Sequence, residues 1–229
     1  MSVKLHDDII VMGDIHGDFG KLNGFINKKQ PKMILQVGDF GYWPHWNADK
    51  PQKKHHKEPV VKAQDTLIHF CDGNHEDHWA LRDRTTDELY PNTFYQPRGS
   101  FFTLNDGRNV MFFGGAESID KYHRTVGHDW FPEETVTQKD VMNLPDIKVD
   151  IMISHTCPHE FEVKCFAGEE KSKDPSKDAM TYLLHRYKPD LWYFGHYHVK
   201  VSGKHENTNW HCIDHSGHSQ WWVKLPRKK

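Results

Sequence analysis

The chain has 229 residues, of which 36% are hydrophobic and 27% charged, with a formal net charge of −2. That length suits one globular domain, and the near-balanced charge supplies no global field that would draw the chain to nucleic acid or to an acidic membrane. The polar Met1–Asp8 start carries no signal-peptide pattern and no apolar run is long enough to cross a bilayer, so a cytoplasmic location is the expectation.

In chain order, Ile9–Met12 is a short apolar run of the kind that forms a buried strand. Phe19, Leu22, Phe25 and Ile26 then fall on one face of a helix. Met33–Val37 reads as a second strand, and Pro44–Pro59, rich in Lys, His and Pro, as a surface excursion. Leu67–Cys71, Val110–Phe113 and Ile151–Ile153 read as further strands, with a helix predicted over Glu133–Leu144 and stopped at Pro145. Phe161–Pro175 reads as a long charged loop, Lys177–Tyr187 as a helix ending before Pro189, and Leu191–Phe194 and Trp210–Ile213 as the last strands. Strands alternating with helices predict an α/β core in a single domain, 1–229, with variable loops at about 43–63 and 160–176. Among the cysteines, Cys71, Cys157, Cys165 and Cys212, there is no C-x-x-C pair, so neither a structural zinc site nor a disulfide framework is expected; Cys71 and Cys157 read as buried thiols.

The chemistry lies just past the strands. Ile9–Met12 is followed by Gly13-Asp14-Ile15-His16-Gly17, and Met33–Val37 by Gly38-Asp39-Phe40-Gly41. The strand ending at Cys71 is followed by Asp72-Gly73-Asn74-His75-Glu76. Ser154-His155 and Gly195-His196-Tyr197-His198 follow two later strands. Ligand sites in open α/β sheets form beyond the carboxyl ends of strands, so these turns can converge. Asp14 and His16, like His196 and His198, are two apart, which in extended backbone points both side chains one way. Oxygen and imidazole donors without thiolate suit Mn²⁺, Fe, Zn²⁺, Co²⁺ or Ni²⁺. The seven candidates, Asp14, His16, Asp39, Asn74, His155, His196 and His198, exceed one tetrahedral ion and suit two ions sharing a carboxylate.

The ordered series D-x-H, G-D, G-N-H-E, lone His and G-H-x-H, from Asp14 to His198, resembles the calcineurin-like metallophosphoesterase superfamily. The resemblance implies a two-sheet αββα sandwich with a dinuclear metal site at the strand carboxyl ends. It implies that Asp14, His16 and His198 hold one divalent ion, Mn²⁺ being the first expectation, that Asn74, His155 and His196 hold the other, and that Asp39 bridges both. His75 would be the general acid or would orient the leaving group. The substrate implied is a phosphate ester, a nucleotide among the candidates, cleaved as a phosphodiester or a phosphomonoester. The alternatives are a catalytically weak metal-binding scaffold for a partner protein, or a nuclease, which the missing basic stripe argues against. Gly114–Lys121, Arg124 and Trp130–Glu134 look similar to a stretch of bacterial and phage members. There Arg124 is a candidate phosphate clamp, with an ion pair to Glu133 or Glu134 as the structural alternative.

The second block departs from the pattern. Protein Ser/Thr phosphatases of this superfamily carry G-D-x-x-D-R-G, and here the run is Gly38-Asp39-Phe40-Gly41-Tyr42-Trp43. The Asp that would pair with the catalytic His is missing, and Asp72, Glu76 and Asp77 are the carboxylates nearest His75 in sequence. Of the 19 histidines, His45, His55, His56, His123, His128, His159, His205, His211, His215 and His218 read as structural or solvated. Trp43, Trp46 and Trp130 read as packing residues, with stacking on a nucleobase as the alternative, and Trp210, Trp221 and Trp222 near the last strands as packing.

Overall fold

Each predicted strand exists, and most alternate faces so that two apolar surfaces are buried at once. In the computed structural model, which describes residues 6–44, 60–164 and 173–228, β1 (His6–Met12), β2 (Pro31–Gln36) and β3 (Leu67–Phe70) pair in parallel. β5 (Thr93–Tyr95) continues the sheet in parallel; β4 (Glu88–Tyr90) and β12 (Trp222–Lys224) close its edges antiparallel, in the order β12-β1-β2-β3-β5-β4. The second sheet has parallel β7 (Asn109–Phe113), β8 (Ile151–Ser154), β9 (Leu191–Phe194) and β11 (Thr208–Cys212). Its edges are antiparallel β6 (Phe101–Thr103) and β10 (Val201–His205), in the order β10-β11-β9-β8-β7-β6.

Side chains at alternate strand positions sort the core into three layers. Val11, Leu35, Val110, Phe112, Ile151, Ile153 and Tyr193 pack between the sheets. Ile10, Met12, Ile34 and Phe70 face outward on the first sheet, under Phe19, Leu22, Phe25 and Ile26 of α1 (Phe19–Lys29). Met111, Phe113, Met152 and Trp192 do the same on the second, under Met180, Leu183 and Leu184 of α4 (Ser176–Tyr187). The result is an α/β sandwich of αββα order, as the resemblance implied. The predicted α1 face is the buried one, and Asp18 caps the helix by accepting from Lys21 N at 3.1 Å.

The predicted helix over Glu133–Leu144 is not continuous. Pro132–Glu134 forms one 3-10 turn and α3 covers only Gln138–Met142, with extended backbone at Thr135 and Thr137. Thr137 starts α3 in a capping box with Asp140, and Val136 N donates to Ser176 Oγ at 3.0 Å rather than to a helical carbonyl. A short α2 (His78–Arg82) and a 3-10 turn at Lys121–His123 complete the regular elements described. Cys71, Cys157 and Cys212 are buried free thiols. Trp43 packs near Phe131, Trp221 and Trp222 against Phe25, and Trp210 on Phe161. Most of the predicted 44–59 excursion, with Trp46, His45, His55 and His56, lies outside the described residues, as do Cys165 and 165–172 of the second loop. Among the described residues no helix is long and apolar enough to cross a membrane.

Candidate metal centre

Parallel β1, β2 and β3 deliver Asp14, Asp39 and Asn74 to one edge of the first sheet, and β8 and β9 deliver His155, His196 and His198 to the same edge of the second. The seven predicted ligands meet there. His16 Nε2 lies 3.1 Å from His198 Nε2 and 3.7 Å from Asp39 Oδ2, and His198 Nε2 lies 3.2 Å from Asp14 Oδ2. His155 Nε2 lies 3.3 Å from Asp39 Oδ2 and 3.1 Å from Asn74 Oδ1, with the His196 ring centred 4.9 Å from its own. Backbone N–H of His196 donates to Asp14 Oδ2 at 3.0 Å, tying the last block to the first.

The convergence does not come from extended backbone. His16, Asp39, His196 and His198 sit at φ of 51, 53, 66 and 52°. The left-handed turn, not strand pleat, swings each side chain into the centre, at a cost of about 1–2 kcal/mol per non-glycine residue. Close approach explains the glycines beside them. A Cβ on Gly73 would stand 2.1 Å from Asp39 Oδ1, and one on Gly195 would stand 2.0 Å from Asp14 Oδ1.

These separations suit a shared cation. Ligands about 2.1 Å from one ion are about 3.0–3.4 Å apart along the edges of its octahedron or tetrahedron. Asp14, Asn74, His155 and His196 are buried, while the His16 and His198 side chains are 30% and 43% exposed, so one half of the centre is open to solvent and the other is not. Val37 O lies 2.9 Å from His155 Nδ1; this places the ring hydrogen on Nδ1 and turns Nε2 toward the centre. Burial would raise the Asp39 carboxyl, but His155, His75 and His16 hold it well below the usual carboxylate range. Burial would likewise lower His155, yet Asp39 beside it raises it to about 10. A cation at this place would compete with a proton for His155 Nε2.

His75 and Arg124 share a cleft of about 240 Å³ with Asp39, Asn74, Ile119, Asp120, His196 and His198. Arg124 Nη2 lies 3.4 Å from His75 Nε2 and pairs with Asp120 at 2.8 Å. The structural alternative for Arg124 is therefore corrected: its carboxylate partner is Asp120, because Glu133 accepts from Trp79 and Glu134 from Ser118 and Trp130. The nearby carboxylates are engaged away from His75. Asp72 accepts from Arg98 and Tyr95, Glu76 from Gly41 N and Gly73 N, and Asp77 caps α2 through Ala80 N. Burial lowers the His75 pKa and Arg124 adds to that, against the pull of Asp39.

Two supports were invisible in the sequence. Asn74 Nδ2 donates to Ser118 Oγ at 3.1 Å, and Ser118 Oγ donates to Glu134 Oε2 at 2.9 Å. The chain fixes which end of the Asn74 amide faces His155. Arg98, 7% exposed, pairs with Asp72 at 2.7 Å and donates to the Glu133 and Glu134 carbonyls at 2.9 Å, fastening the segment that carries Glu134. No spacing rule links these residues; only the packed sheets do.

A solved structure that is 16% identical, with 96% of this chain and 94% of its own covered, superposes at a TM-score of 0.56. TT1561 of Thermus thermophilus is 14% identical over 91% of this chain and 89% of its own, at a TM-score of 0.52. These likenesses concern the fold. No curated protein sequence matches the chain significantly. The profile of the calcineurin-like phosphoesterases matches residues 8–200, which include every turn of the centre, and the chain belongs to that family of metal-using phosphoester hydrolases.

Proposed function

We propose that this chain hydrolyses phosphate esters at a centre of two divalent cations. Asp14, His16 and His198 hold one, Asn74, His155 and His196 hold the other, and Asp39 serves both. The observation that supports this most is the Asp39 carboxylate. Its Oδ2 faces His155 Nε2 at 3.3 Å and His16 Nε2 at 3.7 Å, one from each proposed set. Its Oδ1 accepts from Asn74 N and His75 N, both at 2.8 Å, which fixes the orientation of the group. Two cations so held would supply Lewis acidity toward the phosphoryl group and a nucleophile near neutral pH. The donor set suits Mn²⁺, Fe, Zn²⁺, Ni²⁺ and Co²⁺ alike, and the family resemblance makes Mn²⁺ the first to test.

The remaining side chains bind and orient. Arg124 places a guanidinium on the cleft, where it can hold a phosphoryl oxygen. His75 beside it, its pKa lowered by burial, is placed to orient the leaving oxygen by a hydrogen bond or to protonate it. Arg124 is the single Lys or Arg on the described cleft lining, and Asp120 already offsets part of its charge. That balance favours a phosphodiester, or a small nucleotide ester, over a dianionic monoester.

The test is turnover of bis-p-nitrophenyl phosphate against p-nitrophenyl phosphate by metal-stripped protein, with and without Mn²⁺, beside an Asp39→Asn variant. Metal-restored activity that the variant lacks, larger on the diester, is expected. No turnover with Mn²⁺, Fe²⁺, Zn²⁺, Ni²⁺ or Co²⁺ would overturn the proposal.

A further inference from the structure

β11 runs parallel to β9, so it ends at the same edge of the sandwich as the strands that carry the proposed centre. The turn after it presents Asp214, His215 and His218, two of which the sequence placed among solvated or structural histidines. One ligand atom from each lies within 4.8 Å of the other two. His218 Nδ1 is 2.8 Å from Asp214 Oδ2, and the His215 ring is centred 4.4 Å from that of His218 and 4.5 Å from that of His198.

The turn is fastened to the first motif. Ser216 N donates to Asp14 O at 2.8 Å, Ser216 Oγ to Ile15 O at 3.3 Å, and Lys21 Nζ to Ser216 O at 3.0 Å. A Cβ on Gly13 would stand 1.9 Å from Asp214 O, so that glycine is what lets the two turns touch. Asp214 is buried, His215 half-buried and His218 exposed. The group is thus held rigidly at its base and open at its rim.

We propose that Asp214, His215 and His218 form a separate site for a zinc-class divalent cation, Zn²⁺, Co²⁺ or Ni²⁺. Two imidazoles and one carboxylate make a three-ligand set for these borderline ions and leave a coordination position to solvent. An ion there adds positive charge along the His198 side of the cleft.

The site is tested by counting zinc per chain after dialysis of the chelator-stripped full chain against micromolar Zn²⁺. The wild type is compared with His218→Ala and with His185→Ala, an exposed histidine paired to Glu160. The His218→Ala chain is expected to hold one ion fewer than the wild type, and the His185→Ala chain the same number. An unchanged count, a loss matched by His185→Ala, or a loss of more than one ion overturns the proposal. The His218 side chain is 60% exposed, so folding survives its removal, which a thermal melt checks. An Asp39→Asn chain separates the two assignments: it is expected to lose ions from the central site while keeping the one that depends on His218.

Discussion

Ser118→Ala is the sharpest probe of how the centre is supported. Ser118 is 2% exposed, and its hydroxyl accepts from Asn74 Nδ2 at 3.1 Å while donating to Glu134 Oε2 at 2.9 Å. Removing it leaves two buried polar groups each short of a partner, at about 1–3 kcal/mol apiece. The cost to folding should therefore be about 2–6 kcal/mol in the metal-free protein, and toward the low end if water enters the gap. The cost to metal binding is separate. Loss of a hydrogen bond that orients a ligand weakens affinity by about 10–100-fold. Competition against a chromophoric chelator should show one ion bound about 10–100-fold more weakly and the other changed less than about threefold. Urea melts of the metal-free protein give the folding term. Wild-type affinity for both ions would refute the claim that Ser118 holds the Asn74 amide for ligation.

Gly73→Ala places a methyl 2.1 Å from Asp39 Oδ1, so it should abolish stoichiometric metal binding and cost about 1–3 kcal/mol in stability; wild-type metal content would refute the contact. Lys177 is 4% exposed and its Nζ donates to Cys157 O, Pro158 O and Tyr197 Oη at 3.1–3.2 Å. It joins the turns after His155 and His196, and Lys177→Met should lower metal-free stability by about 2–4 kcal/mol, measured in urea. Burial raises Glu134 to about 7, above its ordinary 4.5. Because the folded pKa is the higher one, its stabilising contribution is complete below pH 4.5 and is lost as pH rises toward 7. The stability advantage of wild type over Glu134→Gln should shrink across that window by at most about 3 kcal/mol, and a flat difference would refute the shift.

The elements that the sequence exposed are those with long apolar stretches. β9 has its predicted bounds, and α1 buries the four residues of its predicted face. β4, β5, β6 and β12 are three residues each, too short for a periodic pattern, and β10 is Val-Ser-Gly-Lys-His, which reads as a loop until it pairs with β11. The grouping of these seven residues was legible because each follows a strand. How its members converge was not, because left-handed φ at His16, Asp39, His196 and His198 is set by the surrounding turns and not by the identity of those residues. The Ser118–Glu134 and Arg98–Asp72 contacts join segments 16 and 26 residues apart, and no local pattern carries such a pairing.

The first and last motifs of the centre bear on synthesis as well as on chemistry. His16 and His198 face each other across 182 residues of chain. A ribosome-bound chain that has not yet released β9 can present Asp14, Asp39 and Asn74, but neither His196 nor His198. Closing that span costs loop entropy, which is offset only when both sheets have docked. If the proposed ions bind, loading would need both ends of the chain, so a chain cut before β9 should bind no ion stoichiometrically.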